Sequence, residues 1–276
     1  MRKKNKNLKS VNLHFWPYCN MNCIYCFANF KNITKPLSSK KWINIINELE
    51  LIDINKINFA GGEPTLCSFL GELIKYSKNI GLITSIISNG TGINNEFIKK
   101  FGKYIDWIGL SLDSGNENTQ YLLGRGEGTH VKKIINKSKI IKEAGIKLKI
   151  NSVITKLNYL ENFSQIINTI NPDRWKIFQV LEIKNQNSSK TKNFSINQKQ
   201  FREFTEFHKH LNPILENNNM MIESYIMIDP LGRFYQNSNQ IYHYSKPILD
   251  IGIKNAFNGI IFDYNKFRER GGLYYC

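Results

Sequence analysis

Short runs of apolar and β-branched residues alternate along the chain with longer segments in which apolar residues recur every three to four positions. The short runs predict strands at residues 10–15, 56–60, 82–87, 106–112, 147–154, 175–181 and 221–228. The longer segments predict helices at residues 40–52, 68–78, 96–101, 130–143, 160–170 and 198–211. Strand and helix therefore alternate over most of the sequence, as they do in a parallel sheet with helical crossovers.

About six such units are enough for a closed or partly closed βα barrel. We therefore expect an α/β fold in one domain, 1–276, with a partial (βα)6 barrel at 10–182 and a C-terminal extension at 183–276. The polar segment 185–193 predicts a surface loop, and the last stretch, 268–276, has no helical pattern. Ligands of βα barrels bind where the strands end, so the residues that follow each predicted strand are the first candidates for function.

Composition narrows the class of protein. With 41% hydrophobic residues in 276, the chain can bury one sizeable core. The basic start, residues 1–10, is followed by no long apolar run, so we expect neither a signal peptide nor a membrane span, and a cytoplasmic location. Thiols stay reduced in that compartment, and five cysteines, three of them within eight residues, therefore indicate metal ligation rather than disulfides.

The formal net charge of +16 suits nucleic acid, an acidic membrane surface or a highly phosphorylated small molecule. Charge alone does not choose among them. Lys, Asn and Ile are all frequent here and share AT-rich codons, so genome composition is an alternative source of much of the charge.

The cysteine triplet lies directly after the first predicted strand. Cys19, Cys23 and Cys26 follow the spacing C-x3-C-x2-C, with the aromatic Tyr25 before the last cysteine. Three thiolates on a short loop can hold three irons of a [4Fe-4S] cluster and leave the fourth iron open. A closed zinc site would need a fourth ligand, for which Cys67 or His14 is available, and this alternative stays open at the level of spacing.

Two further motifs end the second and third predicted strands. The first is Phe59-Ala-Gly61-Gly62-Glu63-Pro64, and the second is Ser88-Asn89-Gly90. Taken alone, either motif is typical of an ordinary turn. Behind the cysteine loop and in this order, they resemble the elements with which radical S-adenosylmethionine (SAM) proteins bind SAM.

Beyond that superfamily, the sequence resembles viperin and its prokaryotic relatives from about residue 10 to residue 274. The matching blocks are Val11-Asn-Leu-His-Phe, Lys56-Ile-Asn-Phe-Ala-Gly-Gly-Glu-Pro, Ser85-Ile-Ile-Ser-Asn-Gly, Ser111-Leu-Asp-Ser, Gly124-Arg-Gly-Glu-Gly, Lys149-Ile-Asn-Ser-Val-Ile, Asn171-Pro-Asp-Arg-Trp-Lys-Ile-Phe-Gln, Ser224-Tyr, Ile248-Leu-Asp-Ile-Gly and Arg270-Gly-Gly. The resemblance implies a partial TIM-like barrel of the radical SAM type, whose C-terminal extension completes a nucleotide site. It also implies conversion of CTP, UTP or GTP to the 3'-deoxy-3',4'-didehydro analogue, through C4' hydrogen abstraction and loss of water, in antiviral (anti-phage) defence.

Roles for individual residues follow from the resemblance. It implies that the three cysteines bind the cluster and that Tyr225 donates a hydrogen or proton late in the reaction, although a packed core tyrosine is the alternative. The residues implied to bind SAM are Tyr25, Gly61, Gly62, Glu63, Asn89, Ser111 and Arg125.

Basic residues at several strands would suit the binding of a triphosphate, because charge-assisted hydrogen bonds to phosphate are strong. The candidates are Lys56, Lys149, Arg174, Lys176 and Arg270. Lys149 and Asn151 share one strand face by period-two alternation, and so do Arg174 and Lys176 on the next strand. Solvated strand ends are the plainer interpretation of any one lysine. Asn12 and His14, just before the cysteine loop, are further candidates to face the nucleotide, and His14 could equally be a core histidine.

Two other functions remain as alternatives. A radical SAM nucleotide cyclase of the molybdenum-cofactor type would need a second cysteine-ligated cluster, and only Cys276 lies near the carboxyl end. A non-catalytic Fe-S protein could bind nucleic acid or a partner through its basic surface. For the enzyme, we expect an electron donor such as flavodoxin or ferredoxin as a partner, no membrane attachment and no stable complex with nucleic acid.

Overall fold

The computed structural model of the protein describes residues 9–274, so the basic residues 1–8 and the terminal Cys276 lie outside the described residues. Ten strands form one sheet. They are β1 (Lys9–Trp16), β2 (Ile54–Gly61), β3 (Ile83–Ser88), β4 (Trp107–Ser111), β5 (Lys147–Ile154), β6 (Arg174–Gln179), β7 (Ile214–Glu216), β8 (Ile226–Ile228), β9 (Arg233–Ser238) and β10 (Ile241–Pro247).

The strand order in the sheet is β10-β9-β8-β1-β2-β3-β4-β5-β6-β7. Strands β1 to β7 are parallel to their neighbours, and β8 is parallel to β1 on the other side. Strands β9 and β10 continue the sheet in antiparallel fashion. The arrangement confirms the predicted α/β class and the partial barrel.

Twelve helices lie within the described residues. They are α1 (Ser39–Glu48), α2 (Leu70–Asn79), α3 (Asn95–Phe101), α4 (Glu117–Leu122), α5 (His130–Glu143), α6 (Ser164–Ile170), α7 (Ser188–Thr191), α8 (Gln198–Phe207), α9 (Asn218–Met221), α10 (Ile248–Ile251), α11 (Ile253–Phe257) and α12 (Tyr264–Glu269). Single 3-10 turns occur at Leu49–Ile52, Pro64–Leu66, Gly102–Tyr104, Lys192–Phe194 and Lys209–Leu211. None of the helices within residues 9–274 is long and apolar enough to cross a bilayer.

Most predicted elements are present, with shifts of a few residues at their ends. The strand at 147–154 and the helix at 130–143 have the predicted bounds. The strand prediction for 221–228 was wrong in its first half, because residue 221 ends the short helix α9 and only residues 226–228 pair with β1. The helix predicted from residue 160 begins at Ser164, and Leu160 is 81% exposed.

The tail differs from its prediction as well. Residues 268 and 269 belong to helix α12, whose N-cap Asp263 accepts a hydrogen bond from the backbone N–H of Lys266. Such a cap satisfies a donor that the first turn leaves unpaired, and it allows a short helix to form in a segment with no apolar periodicity. The Gly-Gly pair follows directly after the helix.

An apolar core fills the space between the sheet and its helices. Its largest fully buried side chains include Trp42, Phe15, Phe59, Phe163 and Phe204. Strands β7 and β10 are the two edges of the sheet, and β7 and β8 are not paired with each other. Residues 217–225 link β7 to β8, and the hydroxyl of Tyr225 donates a hydrogen bond to Glu216 at the end of β7.

Candidate functional site

A cavity of about 280 Å³ extends from the barrel interior to the carboxyl ends of the strands. Seventeen of the nineteen candidate residues line it: Asn12, His14, Cys19, Cys23, Tyr25, Cys26, Gly61, Gly62, Glu63, Asn89, Ser111, Arg125, Lys149, Asn151, Lys176, Tyr225 and Arg270. The other two, Lys56 and Arg174, lie outside this wall. Residues that are far apart in sequence therefore meet in one place.

The cysteine loop leaves the end of β1 and crosses the mouth of the cavity. Backbone hydrogen bonds from the N–H groups of Asn22 and Ile24 to the carbonyls of Gly124 and Leu123 hold it against the end of α4. Burial raises the pKa of all three thiols, that of Cys26 to about 12. Binding to a metal would keep these thiols deprotonated, because cysteine binds metals as the thiolate.

The ligand geometry separates a cluster from a single ion. Within residues 9–274, no three His, Cys, Asp or Glu side chains converge closely enough to hold one metal ion. A closed zinc site requires such convergence, whereas the thiolates of a cubane cluster bind different irons. Of the proposed fourth zinc ligands, Cys67 is buried after β2, and His14 is hydrogen-bonded to Tyr235. The three cysteines therefore fit a [4Fe-4S] cluster better than zinc.

The C-terminal extension supports this loop from behind. Asn187 donates a hydrogen bond from Nδ2 to the carbonyl of Tyr25 (3.0 Å), and Thr191 donates one from Oγ1 to the carbonyl of Ile24 (3.1 Å). The predicted surface loop at 185–193 is exposed at five of its nine residues, but Asn187 and Thr191 are buried and Ser188–Thr191 forms helix α7. Its polar side chains pair with loop carbonyls that would otherwise be buried unpaired.

The glycine pair at the end of β2 has a packing reason. A Cβ atom on Gly62 would overlap the Tyr18 carbonyl, and one on Gly61 would overlap the Trp16 carbonyl. The N–H groups of Gly62 and Glu63 donate to those same carbonyls, at 2.6 and 2.8 Å. The two glycines allow the cysteine loop to pack directly on the strand end, and they also line the cavity.

Glu63 joins the ends of β2 and β3. Its Oε1 accepts from the hydroxyls of Ser88 (2.7 Å) and Thr65 (2.6 Å), and its Oε2 accepts from the backbone N–H of Asn89 (2.7 Å). Burial raises the pKa of Glu63, while these hydrogen bonds act in the opposite direction. The carboxylate fixes the position of Asn89, whose side chain in turn donates to Asn20 in the cysteine loop.

Arg125 is held by a carboxylate that sequence reasoning passed over. Its Nε pairs with Asp113 at 2.5 Å, and its Nη2 donates to the hydroxyl of Tyr25 at 2.9 Å. Tyr25 also donates to Asp113, which is fully buried. Ser111 lies just before Asp113 at the end of β4. The block Ser111-Leu-Asp-Ser contained this carboxylate, but nothing in it indicated the arginine partner twelve positions away.

Cations converge on the opposite side of the cavity. The register of β5 and β6 pairs Lys149 with Arg174 and Asn151 with Lys176. Lys149 and Lys176 are 3% and 7% exposed. Burial and the neighbouring cations Lys56, Lys176 and Arg174 hold the pKa of Lys149 well below its usual range. An ammonium group in such surroundings favours an anion as its neighbour.

Glu216 is the carboxylate of this region. It accepts from Lys176, from Nη1 of Arg270 (3.4 Å) and, on its other oxygen, from the hydroxyl of Tyr225 (2.5 Å). Burial alone would raise the pKa of Glu216, but Lys176 and Arg270 hold it below its usual value. Burial lowers the pKa of Lys176 to about 8 against the opposing effect of Glu216. Glu216 sits on a three-residue strand that the apolar pattern did not predict.

Tyr274 covers Lys56 and Arg174, the two candidate residues that do not line the cavity. Its ring centroid is 3.0 Å from Nζ of Lys56 and 4.3 Å from Cζ of Arg174, and its hydroxyl is 2.6 Å from Nζ of Lys149. Tyr274 lines the cavity in front of these two cations. Arg174 also donates to the carbonyl of Gly271, so the tail after α12 is bound to the cation cluster.

Tyr225 packs against one of these cations, Arg270. The guanidinium carbon of Arg270 is 3.5 Å from the centroid of its ring, and burial raises the pKa of Tyr225 well above its usual value. The phenol is therefore neutral and carries its proton. Arg270 is positioned by two hydrogen bonds to the carbonyl of Ser224, from Nε and Nη2.

The candidates at β1 and β5 are polar groups deep in the cavity. Burial lowers the pKa of His14 to about 3, so its ring is neutral, and Nδ1 lies 2.7 Å from the hydroxyl of Tyr235. Asn12 accepts a hydrogen bond from Asn58 at 2.8 Å. Oδ1 of Asn151 is buried with no partner among residues 9–274.

The pattern of the Radical SAM superfamily matches residues 13–170. The chain is 39% identical to an S-adenosylmethionine-dependent nucleotide dehydratase of Flammeovirga pacifica, over 98% of this chain and 97% of that one. It is 38% identical to a protein of the same name from Lacinutrix mariniflava, over 97% of this chain but only 58% of the length of that protein. A Thermoplasmatales archaeon has another protein of this name, 35% identical over 84% of each chain.

Solved structures share the fold at low identity. The anSMEcpe protein with bound AdoMet and a Kp18Cys peptide superposes with a TM-score of 0.68 at 17% identity, covering 95% of this chain and 82% of that one. Streptococcus suis SuiB bound to S-adenosylmethionine gives 0.65 at 18% identity, over 82% and 59%. By its sequence pattern and its relatives, the chain belongs to the radical SAM superfamily and, within it, to the family of S-adenosylmethionine-dependent nucleotide dehydratases, the viperins.

Proposed function

We propose that this protein removes water from the ribose of a nucleoside triphosphate, CTP, UTP or GTP, and releases the 3'-deoxy-3',4'-didehydro nucleotide, in antiviral defence. The observation that supports this substrate is the buried cation cluster of Lys149, Lys176 and Arg270 in the same cavity as the cysteine loop. Several converging Lys and Arg donors suit a polyphosphate better than any other common metabolite group.

As a radical SAM enzyme, the chain uses a [4Fe-4S] cluster and SAM, which supply a 5'-deoxyadenosyl radical when bound. Cys19, Cys23 and Cys26 would hold the cluster. The cavity wall formed by Gly61, Gly62, Glu63, Asn89, Ser111, Arg125 and Tyr25 would hold SAM. When the C4' hydrogen is abstracted and the 3'-hydroxyl leaves as water, the reaction takes up two electrons and one proton in total. An electron donor such as flavodoxin or ferredoxin would provide the electrons.

The residues around Glu216 account for the last step. Tyr225 carries its proton, and its hydroxyl is oriented by Glu216 at 2.5 Å. In our proposal, this hydroxyl donates a hydrogen atom or a proton late in the reaction. The phosphates are held by Lys149, Asn151, Lys176 and Arg270. Lys56 and Arg174 add charge from behind Tyr274, and Asn12 and His14 face the sugar. Positioning of this kind contributes much of the rate in enzymes whose cofactor does the chemistry.

The experiment is anaerobic turnover after cluster reconstitution, with SAM, dithionite and each of the four ribonucleoside triphosphates in separate reactions. We expect one triphosphate to stimulate 5'-deoxyadenosine formation and to lose the mass of water. Tyr225→Phe should lower nucleotide product by about 100-fold or more, the range of general acid–base contributions, and should leave cluster absorbance and nucleotide binding unchanged. Tyr121→Phe, the same change at an exposed tyrosine outside the cavity, is the matched control.

Two outcomes would contradict the proposal. SAM cleavage without any nucleotide product would leave a radical SAM scaffold with a different substrate. An intact cluster with no SAM cleavage and tight binding of nucleic acid would favour the non-catalytic Fe-S protein. Within residues 9–274 the only cysteine besides the triplet is Cys67, which offers no second cluster for the cyclase alternative.

A further inference from the structure

The side chain of Asn237 on β9 is buried without partners. It lines the cavity and is 3% exposed. Neither Nδ2 nor Oδ1 makes a hydrogen bond to any group within residues 9–274. Native proteins pair nearly all of their buried amides, because an unpaired donor or acceptor loses its water without compensation. A primary amide with both ends unpaired and facing a cavity indicates a ligand that presents a donor and an acceptor side by side.

Apolar and aromatic side chains share the cavity with Asn237. Tyr242 is its direct partner in the β9–β10 register, and Met221, Met227 and Phe27 line the same cavity. Aromatic rings and thioethers pack well against planar aromatic ligands. An apolar lining with a few polar groups that fix orientation is the usual construction of a small-molecule site.

Asn237 and the lysines lie on different strands of the sheet. Asn237 lies on β9, which β8, β1, β2, β3 and β4 separate from β5 in the strand order, and Lys149 and Lys176 lie on β5 and β6. The cavity therefore has cations on one set of strands and, on another, an unpaired amide beside an aromatic residue. A nucleoside triphosphate likewise carries phosphates at one end and a base at the other.

We infer that Asn237 reads the hydrogen-bonding edge of the nucleobase, an inference that rests on the proposed function. An amide N–H donates while its oxygen accepts, so Asn237 can bind two adjacent atoms of one base edge: N3 and the 4-amino group of cytosine, O4 and N3–H of uracil, or O6 and N1–H of guanine. An amide held in one orientation distinguishes cytosine from uracil, because donor and acceptor are exchanged between positions 3 and 4 of these two bases. A site built to pair a polar group rejects ligands that leave it unpaired.

The test uses the full-length holoenzyme with an equimolar mixture of the four ribonucleoside triphosphates, and it measures the ratio of the products by mass spectrometry. We expect Asn237→Leu, which keeps the size but removes both hydrogen bonds, to reduce the preference for the best base over the second by about 10-fold or more. Asn237→Asp presents acceptors only, so the ratio should move towards guanine, whose N1–H and 2-amino groups are both donors.

Inorganic tripolyphosphate is the probe for an intact protein, because it binds the cations and has no base. Its dissociation constant should be unchanged in both variants, and Asn255→Leu, the same change at an exposed helix position, should alter neither binding nor product ratio. Unchanged product ratios in variants that still turn over would overturn the inference and leave the proposed function standing. Failure of the unmodified enzyme to bind or convert any of the four triphosphates would overturn both, and it would be evident before any variant is compared.

Discussion

The two walls of the cavity are built on opposite principles. On the wall formed by the ends of β2, β3 and β4, protein groups pair with protein groups: Glu63 with Ser88 and Asn89, and Asp113 with Arg125. On the wall formed by β5 and β6, cations are left over, and Asn237 on β9 is a buried amide without a partner among residues 9–274. Among residues 9–274, Glu216 is the only carboxylate in an ion pair with Lys149, Arg174, Lys176 or Arg270.

The difference separates a wall whose charged groups pair with one another, and which we propose holds SAM, from a wall whose cations outnumber its carboxylates. Fully paired buried polar groups stabilise the fold before any ligand binds. Where buried cations outnumber carboxylates, the folded state carries an electrostatic penalty that an anion relieves. Stability measured without ligand should therefore respond in opposite directions to substitutions on the two walls.

Arg125→Met should destabilise the wall formed by the ends of β2, β3 and β4. It leaves Asp113 charged and fully buried without its partner, which costs about 3–5 kcal/mol of unfolding free energy. Urea unfolding of the protein without cofactors measures this directly. The double variant Arg125→Met/Asp113→Asn should recover most of the loss. Equal stabilities of the single variant and the unmodified protein would show that the ion pair does not hold this wall.

Lys149→Met, on the wall formed by β5 and β6, should have the opposite effect and stabilise the nucleotide-free protein. The low pKa of this lysine means that the folded state disfavours its charge, so removing it should raise the unfolding free energy of the nucleotide-free protein. The same substitution removes a charge-assisted hydrogen bond to phosphate, and triphosphate binding should weaken by about 10- to 100-fold.

Lys147→Met is the matched control for that variant. Lys147 lies on the same strand, but its side chain is half exposed and pairs with Asp173 at the surface. Its loss should change stability and nucleotide binding little. If the two lysine variants behaved alike, the cation cluster would have no special role.

The pH dependence of nucleotide binding should show the smallest effect. Burial places the pKa of Lys176 at about 8 in the free protein, and a bound phosphate would raise it. Affinity is then full below about pH 8 and falls as pH rises through the pKa of the complex, by a few-fold and at most about 10-fold per pH unit. The pKa of Lys149 is lowered as well, so it titrates in the same direction.

Titration of triphosphate binding between about pH 7 and 9.5 measures this slope. In Lys176→Arg, which keeps its charge, the slope should be shallower and should retain only the contribution of Lys149. An identical slope in both proteins would assign the titration to another group.

Local pattern predicted the first six strands because each is at least five residues long and contains an apolar, β-rich run. The helix at 130–143 and the strand at 147–154 were predicted to the residue, since Gly145 separates them clearly. By contrast, β7 has three residues, and β9 has two aromatic residues followed by two amides. Their place in the sheet depends on contacts with β6 and β8 that no local pattern encodes.

From the sequence, residues near strand ends could be named that the structure brings into one cavity, and their roles stay predictions. Sequence reasoning named the cations of β5 and β6, and the structure places Lys149 and Lys176 in the cavity wall. It passed over Glu216, Asn237 and Tyr274, because each acquires its importance from a distant neighbour. A buried carboxylate between two cations or an amide without partners is visible only when the chain is folded.

The hydrogen bond between Tyr225 and Glu216 has a mechanical consequence. Glu216 is the last residue of β7 and Tyr225 directly precedes β8, so the contact joins two strands that are not neighbours in the sheet. A change that separates these strands, for instance to admit a bulkier ligand, would also displace the phenol. If Tyr225 acts as we propose, ligand size and reactivity are tied to this one contact.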